Sequence, residues 1–238
     1  MSEIVTLTSI TNPKTTCQVD PIGCGLGEVW LEGKQILWTG NRPDGGRGFT
    51  HPCIPNFNLA ENLPNHGPAR KEEWTKETNN SWTWKMSEIP GIYPAGIEAK
   101  REFLPGDKSL TVTTTIKNSS GVALPINIAE HHYFLCSPDK RAEVKVNGLA
   151  FSKTGLVGEA EFNPWSKNEH LIEIPDFGTI KMTISGYGAF AQWSQPDANF
   201  FCVEPIQVMP PAPEDFTHQA PKINSGETKV FSYTLSLL

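Results

Sequence analysis

Short stretches in which every second residue is apolar recur along this chain, and they constrain its fold more than any other feature. Trp82, Trp84 and Met86 share one face of one segment, and Leu110, Val112, Thr114 and Ile116 share one face of another. This is the period-two pattern of strands with one side in a core. Between such segments stand turn-forming residues, at Asn41 to Gly48, Pro105-Gly106-Asp107 and Asn118 to Gly121, which suit hairpins and sheet-to-sheet connections. Lys229 to Leu238 alternates again and reads as a closing strand. With 20 glycines and 20 prolines in 238 residues, turns are plentiful and long helices are not expected. The pattern predicts an all-β protein, a large antiparallel β-sandwich, and a chain of this length can form one such domain over residues 1–238.

The balance of charges narrows the partners. A formal net charge of −6 gives no basic field with which to displace counterions from phosphates, so nucleic acid is not an expected partner. No apolar run is long enough to cross a bilayer, and Met1 to Ile10 lacks the basic and apolar regions of a secretory signal. A cytoplasmic protein with no membrane partner is the expectation. The cysteines at 17, 24, 53, 136 and 202 are scattered, with no Cys-x-x-Cys pair for zinc or redox chemistry, and read as buried thiols. In that compartment the sequons at Asn79 and Asn118 carry no sugar.

Two stretches are irregular enough to be functional loops: Thr39 to Asn65, rich in Gly, Pro and Asn, and the proline-rich Met209 to Thr217. Chemistry concentrates elsewhere. If LPINIAEHHYFLC, Leu124 to Cys136, is one strand, then Ile126, Ile128, Glu130, His132 and Phe134 face one way. Asn127, Ala129, His131, Tyr133 and Leu135 face the other. The two histidines therefore have different surroundings. His132 lies on the apolar face, as a hydrogen-bonded core residue would. His131 shares its face with Asn127 and Tyr133, a mixture suited to a sugar, which offers hydroxyls and C–H faces together.

In NFFCVEP, Glu204 ends an apolar run, where a carboxylate is either a structural ion pair or a tuned base. In LPNHGPARKEEW, a Gly and a Pro hold His66 and Arg70 in a turn, where the guanidinium is either a surface ion-pair partner or a planar fork for hydroxyls or phosphate.

Taken in order, these segments resemble the aldose 1-epimerase (mutarotase) family. TIKNSSGVALPINIAEHHYF is similar to the family's strand pair ending in His-x-Tyr-Phe, whose first histidine is the general acid and here is His131. FFCVEP is similar to its Cys-x-Glu-Pro strand, whose glutamate is the general base and here is Glu204. LPNHGPARKEEW resembles the Leu-Pro-x-His-Gly-x-x-Arg motif of the hexose-6-phosphate mutarotase branch, which makes His66 and Arg70 substrate contacts. Arg47 stands ahead of Pro55 at the spacing of that branch's arginine-bearing loop, although FTHPCI departs from its Gly-Ile-Pro core. Between His131 and Glu204 none of Asp139, Asp176 and Asp197 matches the aspartate that many members use as a substrate ligand.

The resemblance implies the mutarotase supersandwich, a small-molecule sugar as partner, and acid–base ring opening and reclosure of a hexose without metal or cofactor. An unperturbed glutamate is ionised at pH 7, and a histidine titrates near ~6.5. Two other readings stand beside this one: a hexose-6-phosphate mutarotase, and a non-catalytic carbohydrate-binding protein on the same scaffold, which would have no use for an opposed acid and base.

Overall fold

In the strand Ser109–Asn118, Leu110, Val112, Thr114 and Ile116 are buried, while Thr111, Thr113 and Thr115 between them are only partly covered. Trp82, Trp84 and Met86 turn inward in the same way along and just beyond Ser81–Lys85. The alternation read from the sequence is thus the alternation of burial. The structure, a computed structural model, describes residues 3–151, 160–165 and 167–238.

These strands belong to a nine-stranded sheet. From one edge it runs Leu149–Ala150, Lys145–Val146, Glu169–Ile174, Gly178–Ser185, Thr228–Leu237, Ser109–Asn118, Ile97–Pro105, Ser81–Lys85 and Thr75–Lys76. The last strand of the chain lies between Gly178–Ser185 and Ser109–Asn118, so it closes the sheet at its middle.

A ten-stranded sheet forms the second layer. Its main path is Val5–Thr8, Thr16–Asp20, Gly25–Leu31, Lys34–Leu37, Phe134–Leu135, Phe200–Ile206, Ala129–His131 and His51–Cys53. Ala189–Trp193 also pairs with Phe200–Ile206 and carries Glu161–Pro164 on its far side. Every pairing of these strands among the described residues is antiparallel, and the single α-helix there is the short Phe216–Gln219. No helix among them is long and apolar enough to cross a membrane.

The core fills the space between the sheets. Val29, Ile36, Phe134, Phe201 and Val203 from one layer join Trp82, Phe103, Val112, Ile180 and Leu235 from the other in a single buried cluster. Each large apolar side chain taken out of water there contributes about 1.5–3 kcal/mol.

One ion pair is sealed into this core. Arg101, on Ile97–Pro105, donates Nη1 to Glu130 Oε1 at 2.7 Å and Nη2 to Oε2 at 3.0 Å, and both side chains are inaccessible to water. Burial pushes the Glu130 carboxyl up, and the two-pronged guanidinium contact opposes that rise.

The segment 124–136 is not one strand. Leu124–Pro125 pairs with Lys222–Ile223 in a separate two-stranded sheet, and Ala129–His131 and Phe134–Leu135 are distinct pieces that both pair with Phe200–Ile206. Pro125 has no N–H to offer a ladder, and Tyr133 sends its own N–H to Thr50 Oγ1. The expected phase survives these breaks. Glu130 and His132 point into the sandwich, where His132 Nδ1 donates to the Val203 carbonyl at 3.2 Å and its ring meets Tyr233 edge-on at 4.5 Å. Burial lowers the His132 pKa to about 3, so it is a neutral core histidine.

Candidate active site

The strand Phe200–Ile206 has two unlike sides. Phe201 and Val203 enter the main core, while Phe200 and Cys202 pack outward against Tyr133, Trp38 and Trp193. Glu204 follows the outward alternation. Beside it Ala129–His131 presents His131, and the two side chains meet with His131 Nε2 3.6 Å from Glu204 Oε2. Only 4% of His131 and 1% of Glu204 is exposed, so both sit at the floor of whatever they line.

Burial shifts both groups away from their ordinary values. Desolvation raises the Glu204 carboxyl well above the usual carboxylate range. Desolvation lowers His131, and the nearby His51, His66, Arg70 and Arg42 push it further the same way. Both shifts favour the uncharged form of each group. The ordinary values from which the sequence argument started do not apply here.

Rings fix the orientation of His131. It packs against His51, at 5.0 Å, and Tyr133, at 4.7 Å, two rings that also approach each other, and it meets the edges of His66 at 5.2 Å and Trp193 at 5.7 Å. His51, directly across the strand pair, anchors that stack by donating Nδ1–H to the Phe49 carbonyl at 2.7 Å. His66 sits in a left-handed turn with φ of +61°, its Nδ1 accepting the Asn58 N–H at 3.2 Å, which leaves Nε2–H as a donor. Burial lowers its pKa to about 3, keeping it neutral. The next residue must be glycine: a Cβ at Gly67 would fall 1.9 Å from the Ile54 carbonyl oxygen.

His131, Glu204 and His66 line one cavity of about 510 Å³, with Phe57, Asn58, Asn65, Phe162, Trp193, Arg42 and Asp44 in its walls. That volume falls within the roughly 300–1,000 Å³ of small-molecule sites. A larger groove of about 790 Å³ beside Glu143, Glu173 and Asp176 contains none of these residues.

The two arginines singled out in the sequence lie elsewhere. Arg47 and Arg70 line a neighbouring pocket of about 380 Å³ with Arg42, His51 and Lys71. Arg47 is ion-paired with Asp20 and stacks 4.5 Å over Phe49. Arg70 has a buried Nε without a hydrogen-bond partner among the described residues.

Arg42 links the two pockets and was not marked out by the sequence. It donates Nη1 to the Tyr133 hydroxyl at 3.2 Å, grips Asp44 through Nε and Nη2, and lies 5.7 Å over the Trp193 ring. Its place within the turn-rich Asn41 to Gly48 gave the only hint. Trp193 and His51 were missed as well, because each reaches His131 through pairings distant in sequence. Asp139, Asp176 and Asp197 are exposed and line neither pocket, whereas Asp44 is the aspartate at the cavity wall.

Solved structures repeat this fold at low sequence identity. A galactose mutarotase-like protein from Lactobacillus casei superimposes with a TM-score of 0.82 at 16% identity, over 99% of this chain and 100% of that one. A galactose mutarotase related enzyme from Lactobacillus acidophilus gives 0.78 at 13% identity, over 100% and 97%. A protein from Synechocystis sp. gives 0.81 at 15% identity, over 99% and 96%. No curated protein matches the sequence. The aldose 1-epimerase family model matches residues 6–169, a span that includes His51, His66 and His131 and ends before Glu204. More than half of the chain lies within that match, and the sandwich around it is the one these relatives share, so the chain belongs to the aldose 1-epimerase family.

Proposed function

We propose that this protein interconverts the α and β anomers of a hexose, with Glu204 and His131 as its proton-transfer pair. One observation carries the reading: the two groups stand 3.6 Å apart, almost fully buried, on the floor of a cavity whose walls mix aromatic faces with hydrogen-bonding groups. Opening an aldopyranose requires loss of the O1 proton and gain of one by the ring oxygen. The C1–O5 bond breaks, rotation about C1–C2 turns the aldehyde over, and reclosure reverses both transfers. Such a cycle needs a pair that shares a single proton. Sugar hydroxyls donating to Glu204 restore the solvation that burial removed and release its proton to His131. Glu204 then acts as base towards O1 and His131 as acid towards O5. His66 Nε2–H and Asn65 are placed to hold ring hydroxyls, and the Trp193 face to cover C–H bonds.

The direct test is NMR exchange spectroscopy on α- and β-glucose, galactose and glucose 6-phosphate with the purified protein. Exchange faster than buffer on at least one is expected, and no enhancement on any would end the proposal. The pH profile is a second test. Adding a proton to the imidazole, or removing the shared one, stops the cycle. Burial drives the first event below the ordinary histidine value of ~6.5 and the second above the ordinary glutamate value of ~4.3. The kcat/KM profile is therefore expected to be bell-shaped, its two apparent pKa values belonging to the pair. An acid limb centred at or above 6.5 would count against the assignment.

A second reading, a phosphorylated hexose, draws support from the neighbouring pocket, where Arg42, Arg47, Arg70 and Lys71 converge on space beside His51. Arg70 is the group to test, since Asp20 already neutralises Arg47. If the phosphate sits there, Arg70→Ala raises KM for glucose 6-phosphate by roughly 10–100-fold, the equivalent of ~1.5–3 kcal/mol for hydrogen bonds to a charged group. KM for free glucose should barely move. Equal losses on both sugars would remove the phosphate reading.

A further inference from the structure

Cys202 lies beside the site without lining its cavity, and proton transfer has no use for its thiol. It leaves Phe200–Ile206 on the same side as Glu204, two residues before it, and is fully buried. A ring nitrogen of His131, the Cys202 sulfur and a Glu204 carboxylate oxygen all lie within 4.8 Å of one another. Among the described residues no other group of three histidine, cysteine or acidic side chains converges in this way.

A second observation also points to a ligand. Glu204 Oε2, the atom that faces His131 Nε2, is shut off from water without a hydrogen-bond partner among the described residues, and a buried polar atom left unsatisfied is costly. Zinc binds nitrogen and oxygen at ~2.0–2.2 Å and thiolate at ~2.3 Å, so the edges of its ligand tetrahedron are roughly 3.3–3.8 Å. The 3.6 Å between His131 and Glu204 is already such an edge. From the outer limit of 4.8 Å, the sulfur has to close by about 1 Å, within the reach of a χ1 adjustment.

We propose that His131, Cys202 and Glu204 form a three-ligand site for a divalent cation of borderline softness, Zn²⁺ foremost, whose occupation excludes the sugar. One thiolate, one imidazole and one carboxylate suit Zn²⁺, whereas Mg²⁺ and Ca²⁺ want oxygen alone. Binding displaces the thiol proton of Cys202 and the carboxyl proton of Glu204 to solvent and takes the lone pair of the neutral imidazole. No electron is transferred, and water from the cavity fills the fourth position. The metal site stands on its own geometry. Exclusion of sugar rests on the reading of His131 and Glu204 as the proton-transfer pair.

Co²⁺ titration of the full chain, followed by absorbance, reads the site without turnover. One equivalent is expected to produce a thiolate-to-Co²⁺ charge-transfer band in the near ultraviolet together with the visible bands of a four-coordinate ion. Added Zn²⁺ should bleach both. Cys202→Ala should abolish the charge-transfer band, and Cys53→Ala, which removes another buried thiol, should keep it. Circular dichroism confirms that each variant is folded, and a wild-type chain without the band overturns the site whatever the variants do. Zn²⁺ should inhibit anomer exchange competitively with sugar. Measured against its own uninhibited rate, Cys202→Ala should need more Zn²⁺ by at least the roughly 10–100-fold that loss of an outer partner of a metal ligand costs. Non-competitive inhibition, or equal sensitivity in the variant, overturns the exclusion. A chain that shows the band but exchanges no sugar keeps the metal site and loses the enzyme reading, and an active enzyme without the band does the reverse.

Discussion

Glu204→Gln is expected to lower catalysed anomer exchange by about 10²–10⁴-fold, because it removes one of the two proposed proton-transfer groups while keeping the shape of the side chain. His131→Asn should cause a loss of the same size. Neither change should unfold the protein: both side chains lie on the outward side of their strands, and their mutual contact is a 3.6 Å approach rather than a closed network. Glu204→Gln removes a carboxyl that burial already strains, so its melting temperature is expected to hold or rise. His132→Asn is the control. Its ring fills space against Tyr233 and bonds the Val203 carbonyl, so it should reduce stability and leave the rate per folded molecule nearly unchanged. NMR exchange rates normalised to folded protein separate the cases, and a dispensable His131 beside an essential His132 would reverse the assignment.

The second large effect concerns Arg101 and Glu130. Replacing Arg101 alone, by Met, leaves the Glu130 carboxylate in the core with only a long 3.4 Å contact from Thr114 Oγ1. Breaking a buried pair in this way costs about 3–5 kcal/mol, a large share of the ~5–15 kcal/mol that holds a typical domain together. The double replacement Arg101→Met with Glu130→Leu should recover most of that loss, because desolvating two charges offsets much of their attraction. Urea unfolding of the two single variants and the double variant measures the coupling. Additive losses would mean that the pair does not act as a unit.

Much of this architecture is legible in the order of residues. Leu110 to Ile116 and Trp82 to Met86 announce their buried faces directly, because a strand with one wet side has to alternate. The same rule separated His131 from His132, although the strand assumed for it is broken at Pro125 and again around Tyr133. Alternation depends on local backbone direction, so it outlived the loss of regular pairing. Partners distant in the chain were not legible. Arg101 finds Glu130 across the sandwich, Arg42 reaches Tyr133 from a turn, and His51 stacks on His131 through a strand pairing that no local pattern encodes. Arg70 and His66 occupy one short motif yet open into different pockets, because the left-handed turn at His66 and Gly67 redirects the chain between them.

The opposed sides of Phe200–Ile206 bear on how such a protein can change over generations. Phe201 and Val203 are committed to the core, where altered volume is felt throughout the packing. Glu204 and its cavity neighbours His66, Asn65 and Trp193 meet solvent-accessible space instead. If the cavity takes the proposed sugar, drift in its wall residues can change which sugar fits while the core stays untouched. A laboratory library that randomises positions 65 and 193 should yield mostly folded members, whereas one that randomises 201 and 203 should yield few.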